Sequence, residues 1–255
     1  MPVLKFINRL FLIAGLFAVS SFIFAENNFA NDLSFKSGDF VRQNSHDEKK
    51  ESTGTVGNSS NGEAATEADI ETMMGKLAAA REMLDTFWRE NFAKQNLGYM
   101  TPKTVAYTGS VNTRCGVIAR GNAAYCGRDH TIYFDVNFFA RMMKLTGTNL
   151  NSDGDMAVIA VLAHEWAHAV QSQTSTRGKL PIMTELQADC LSGAFARYAT
   201  EKGALEEGDE KEALFAFAIG GDSAPWYSPQ AHGSSRMRVG SFSLGFDRGI
   251  VGCRQ

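Results

Sequence analysis

An apolar run, Val158-Ile159-Ala160-Val161-Leu162-Ala163, leads directly into His164-Glu165-Trp166-Ala167-His168. From Asp155 to Gln173 there is neither Gly nor Pro, so the stretch reads as one long helix. On a helix, side chains four apart project from one face a turn apart, and two imidazoles can then reach a single metal ion. Glu165 stands beside that face, placed to contact a water on such an ion. Apolar surroundings argue against two histidines on a solvated surface. The helix must instead be packed inside the domain, with its histidines turned toward a shared site.

Zinc used catalytically takes three protein ligands, so two histidines call for a third donor on a neighbouring element. Glu185-Leu186-Gln187-Ala188-Asp189 supplies it. Four residues apart on a second helix, expected from Pro181 to about Lys202, Glu185 and Asp189 share a face. Glu185 can therefore bind the metal while Asp189 accepts a hydrogen bond from the far nitrogen of a ligand histidine and fixes its ring. The turn from Thr174 to Leu180 permits the two helices to pack antiparallel.

Around this centre the pattern predicts an α+β, helix-dominated domain with a small antiparallel sheet. Ile70, Met73, Met74, Leu77, Met83, Leu84, Phe87, Trp88 and Phe92 recur at helical steps, and Gly98 and Pro102 end that helix. Thr104–Thr108 and Thr131–Phe134 read as strands. Further helices are expected over Val136–Leu145, from Asp209, and after Ser234.

The N-terminus reads differently. Lys5 and Arg9 precede the apolar stretch Leu10–Phe24, and Ala25 is followed by polar residues, as in a secretory signal over residues 1–25. An uncleaved membrane anchor is the rival reading, although 15 apolar residues fall short of the roughly 20 a spanning helix needs. Residues 26–66 are rich in Asn, Ser, Gly and charged groups and read as a flexible linker, leaving residues 67–255 as the folded domain. An exported protein, periplasmic or secreted, is the expectation. Net charge is −3 with pI near 6.0, and no basic patch points to nucleic acid. The four cysteines lack the C-x-x-C spacing of a structural zinc site and fit disulfides in an exported chain. Of the three connectivities, Cys115 with Cys126 and Cys190 with Cys253 is favoured. The first closes a short loop in the sheet region, and the second ties the C-terminus to the helix carrying Glu185.

These motifs resemble the bacterial neutral zinc metallopeptidases, which combine H-E-x-x-H with a downstream E-L-Q-A-D-C. The likeness runs from Thr108-Gly109 through Cys115-Gly116, Tyr125-Cys126, Asp129 and Phe138-Phe139 to both metal motifs. It resumes at Gly221-Asp222 and His232-Gly233-Ser234-Ser235 with Arg238 and reaches Cys253. Asn122-Ala123-Ala124 and Gly127 depart from the Gly-Pro-Phe and Pro expected around Tyr-Cys. The resemblance implies a zincin-like domain of the gluzincin type, with one Zn2+ on His164, His168 and Glu185 and with Glu165 as general base acting on a peptide or protein substrate. His232 is the candidate oxyanion donor, with Arg238 assisting it or fixing its loop; Tyr133 and Tyr227 are less favoured donors. His46 and His130 are expected to be solvated. A binding protein on an inactive protease fold and a zinc amidase acting on cell-wall amides are the competing functions. Glu165 argues against the former, since a purely structural metal needs no base beside its water.

Overall fold

The computed structural model describes residues 65–178 and 180–254. The expected signal segment, His46 and all of the expected linker except Ala65 and Thr66 lie outside the described residues.

Helix α1 spans Glu67–Ala93. It starts there because the Thr66 hydroxyl accepts from the Asp69 N–H while the Asp69 carboxylate accepts from the Thr66 N–H, a reciprocal cap. Its apolar steps bury Met73, Leu77, Leu84, Phe87, Trp88 and Phe92. Strands β1 (Lys103–Tyr107), β2 (Val111–Thr113), β3 (Gly116–Ile118), β4 (Ala123–Cys126) and β5 (Thr131–Asp135) follow. The order β1-β5-β4 makes one sheet, and β2-β3 a separate antiparallel ribbon. The α+β, helix-dominated expectation holds, but the sheet is mixed: β4 runs antiparallel to β5, whereas β1 pairs with β5 in parallel. The long connection through the ribbon and β4 gives the chain room for the crossover that a parallel pair requires.

Asp135 ends β5 and caps helix α2 (Val136–Leu150) by accepting from the Asn137 and Phe138 N–H groups. This helix runs five residues past the expected Leu145 and stops at Asn151, whose φ of 54° is left-handed. Helix α3 spans Asp155–Thr174. It is buried on nearly every side, as its unbroken apolar run demands. No side chain of its own caps it. Gly154 takes a φ of 77° against the Met143 carbonyl, where a Cβ would collide. Glu212, from helix α5 (Asp209–Ile219), accepts the Gly154 and Met156 N–H groups at 3.0 and 2.9 Å.

Helix α4 spans Pro181–Glu201, with Pro181 in its first turn, where a missing N–H costs nothing. Helix α6 (Ser235–Arg248) crosses it closely, and a 3-10 turn, Gly249–Cys253, ends the domain. The crossing depends on glycine. A Cβ on Gly245 would run into the Cys190 carbonyl, and one on Gly193 into that of Phe242. Disulfides join Cys115 to Cys126 and Cys190 to Cys253, the favoured pairing, so β4 is stapled to the ribbon and the C-terminal turn to α4. No helix among the described residues is long and apolar enough to cross a membrane.

Candidate metal centre

His164 and His168 face α4 from consecutive turns of α3, and Glu185 meets them from the second turn of α4. One donor atom from each lies within 4.8 Å of the others. What makes the arrangement specific is how the rings are held from behind. Asp189, fully buried one turn beyond Glu185, accepts a hydrogen bond from His164 Nδ1 at 2.7 Å. On the other ring, Gln171 does the same for His168. Its Nε2 donates to the Thr184 carbonyl and to Gln187 Oε1, both at 2.9 Å, so its Oε1 is the atom facing His168 Nδ1 at 2.8 Å. Both Nδ1 atoms therefore carry hydrogen, and both Nε2 atoms turn inward.

The two Nε2 atoms are only 3.1 Å apart. Glu185 Oε2 is 3.2 Å from His164 Nε2, and Oε1 is 3.4 Å from His168 Nε2. Three electron-pair donors converging like this repel unless a cation lies among them. Before any ion binds, that cation is a proton. Burial opposes charge on His164, but Asp189 and then Glu185 outweigh it and push its pKa up to about 10. Burial likewise opposes charge on Glu185, and the two histidines prevail, holding its carboxyl well below the usual range. Two imidazoles and a carboxylate with inward lone pairs are also a donor set suited to zinc, so the residues present fit that ion. A zinc ion would displace the proton.

Arg238, from the first turn of α6, closes the back of the site. Its Nε and Nη2 bond both Asp189 oxygens at 2.9 and 2.7 Å, and its Nη1 bonds the Gly220 carbonyl at 2.9 Å. Its guanidinium lies 5.1 Å over the buried Phe217 ring. Burial opposes charge on Asp189 too, yet Arg238 and then His164 keep its carboxyl below the usual range.

Glu165, 7% exposed, is turned toward the sheet, where its Oε2 accepts the Tyr125 N–H at 2.8 Å. Tyr125 belongs to β4, the edge strand of the three-stranded sheet, and this N–H points away from β5. His232 lies on the loop between α5 and α6. Asp222 accepts both its N–H and its Nδ1–H at 2.9 Å, and Asp222 N–H in turn bonds the Gly233 carbonyl. Gly233 packs toward Leu186, the residue after Glu185, which brings the loop base to α4.

Of the less favoured oxyanion donors, Tyr133 gives its hydroxyl to Asp129 at 3.0 Å, and Tyr227 is 65% exposed at the loop tip. His130 corrects the expectation of a solvated ring. Its Nε2 donates to the Met100 carbonyl and its Nδ1 accepts from the Tyr125 hydroxyl, so it ties β4 to the segment before β1. Sequence reasoning assigned no role to Gln171 or Asp222. For Gln171 the signal was present: three residues after His168 places it on the ligand face.

A helix-borne histidine pair completed by a carboxylate from the next helix, with a glutamate between the histidines, defines the H-E-x-x-H class of metal centre. Within that class the chain belongs to the family described as "Putative neutral zinc metallopeptidase", whose model matches residues 40–254. It is 35% identical over 189 residues to the uncharacterized protein YpfJ of Escherichia coli K12, covering 64% of this chain and 63% of the relative. It is 30% identical over 203 residues to the uncharacterized protein Rv2575 of Mycobacterium tuberculosis, covering 68% and 67%. The chain thus spans less than two thirds of the Escherichia coli relative's length. No solved structure matches it.

Proposed function

We propose that the protein is an exported zinc metallopeptidase that hydrolyses internal peptide bonds, with His164, His168 and Glu185 holding one ion and Glu165 as general base. One observation carries this reading: Glu165, next in the chain to His164, is shielded and held by a backbone N–H at a sheet edge, while donors from His164, His168 and Glu185 converge. A zinc ion there would lower the pKa of a water and polarise a substrate carbonyl. Glu165 takes the proton from the attacking water, whose oxygen bonds to the carbonyl carbon. As the C–N bond breaks, the same carboxylate passes that proton to the leaving amine.

The Tyr125 N–H steadies the carboxylate. His232, its Nδ1 resting on Asp222, is the loop residue assigned to face the developing oxyanion. Arg238 serves by positioning Asp189, since all three of its nitrogens are engaged within the protein. Export is supported by the N-terminal signal pattern and by two disulfides, bonds that persist in oxidising compartments.

The test is cleavage of an unbiased peptide library by zinc-loaded protein beside Glu165→Gln. Loss of a base costs about 100- to 10,000-fold in rate with zinc still bound. Stoichiometric zinc with no cleavage that the mutant lacks would refute the peptidase. Amide release from peptidoglycan without peptide cleavage would assign an amidase instead.

A further inference from the structure

We infer that Gln171 is a positioning residue that sets two of the three metal donors at once. Its amide bridges the two helices that carry them. From α3, Oε1 accepts the His168 Nδ1–H at 2.8 Å; across the gap, Nε2 donates to the Thr184 carbonyl at 2.9 Å, and Thr184 immediately precedes Glu185. Gln171 is fully buried, so its own amide cannot exchange these partners for water.

The orientation of the amide is not free. Thr184 offers a carbonyl, which only accepts, so the NH2 end must face α4 and the oxygen must face His168. Gln187 enforces the same choice: its Nε2 donates to the Cys253 carbonyl at 3.3 Å, which turns its oxygen toward Gln171. A flipped Gln171 would set NH2 against a ring N–H and oxygen against two oxygens. Two carbonyls, one on α4 and one at the disulfide-held C-terminal turn, therefore dictate the His168 tautomer through side-chain amides. The ring is left with its lone pair on Nε2, the atom that faces Glu185. The same side chain holds the turn of α4 from which Glu185 projects. Asp189 performs the first task for His164 but not the second, so the two supports are not equivalent.

This rests on the proposed metal site, and the experiment separates the two. Long-range proton–nitrogen NMR of the whole protein reads the His168 tautomer with and without zinc, while chelator competition reads zinc affinity. The wild type is expected to show His168 with hydrogen on Nδ1, its signal protected from exchange. Gln171→Met, of similar volume, should lose that single tautomer and weaken zinc about 10- to 100-fold. Gln171→Glu keeps an acceptor for the ring N–H but sets a second oxygen against the Thr184 carbonyl, so it should restore the tautomer while zinc stays weaker than in the wild type. A wild-type His168 without hydrogen on Nδ1 in the zinc-free protein would overturn the inference even if no variant folds. So would Gln171→Met that binds zinc within twofold of wild type. A wild type that shows the expected tautomer but binds no zinc would instead sink the metal reading and leave the role of Gln171 in orienting the ring intact.

Discussion

Replacing Arg238 with methionine isolates the cost of leaving Asp189 without its partner. The Asp189 carboxylate is fully buried and takes three hydrogen bonds, two of them from Arg238 at 2.9 and 2.7 Å and one from His164. Arg238→Met keeps an apolar stem but removes the guanidinium over Phe217 and its compensating charge, and breaking a buried pair in this way costs about 3–5 kcal/mol. For a domain of this size each kcal/mol is worth about 2–4 °C, so the thermal midpoint should fall by about 6–20 °C. A second effect follows from electrostatics. With Arg238 gone, the whole Asp189 charge acts on His164 and favours its imidazolium, which offers a metal no lone pair. Zinc affinity near neutral pH should fall along with stability. The double variant Arg238→Met/Asp189→Leu separates these effects: removing both charges should restore most of the stability, while zinc remains weakly bound because His164 has lost its acceptor. Urea and thermal unfolding, followed by chelator competition, provide the readouts. A loss below about 1 kcal/mol in the single variant, or full zinc affinity in the double, would refute the reasoning.

Three further outcomes are expected. Serine in place of Cys190 and Cys253 should cost about 4 kcal/mol, against about 3 for the Cys115–Cys126 pair, because the first bond closes a separation of 63 residues and the second one of 11; urea unfolding tests the order. Gly245→Ala should destabilise by about 1–3 kcal/mol or more by forcing α6 off the Cys190 carbonyl, and a wild-type melting curve would show that the crossing is not tight. Burial opposes charge on Asp222, yet the His232 N–H, the His232 ring and the Ala224 N–H lower its pKa. Its hold on the loop is therefore present above the unfolded carboxylate value, about 3.9, and is lost as pH falls through the lower folded value. Protection of the His232 amide from hydrogen exchange should follow that loss and should be absent at neutral pH in Asp222→Ala.

The parts of the centre that were legible in sequence are those encoded by local spacing. A four-residue interval on a helix places His164 beside His168 and Glu185 beside Asp189 whatever the rest of the fold does, and the apolar run around the histidines requires α3 to be buried. Pro181 likewise acts within a turn of itself. What escaped depends on partners far apart in the chain. Nothing near β1 shows that it pairs in parallel with β5, because that choice is made by the path of the intervening connection. Arg238 meets Asp189 across 49 residues and Glu212 caps α3 across more than 50, so neither bond leaves a periodic trace. Gln171 was readable by position but not by role, because its task depends on the Thr184 carbonyl opposite it.

The clamp on Asp189 also orders events in time. All three proposed metal donors have been synthesised by Glu185, yet Arg238 and Cys253, which brace them from behind, are made dozens of residues later. A nascent chain ending between these points has every ligand but no charge to balance Asp189 and no staple on α4. Such a chain lacks the contacts that brace Asp189 and the helix of Glu185, so the support behind the proposed centre forms only once synthesis has passed Cys253.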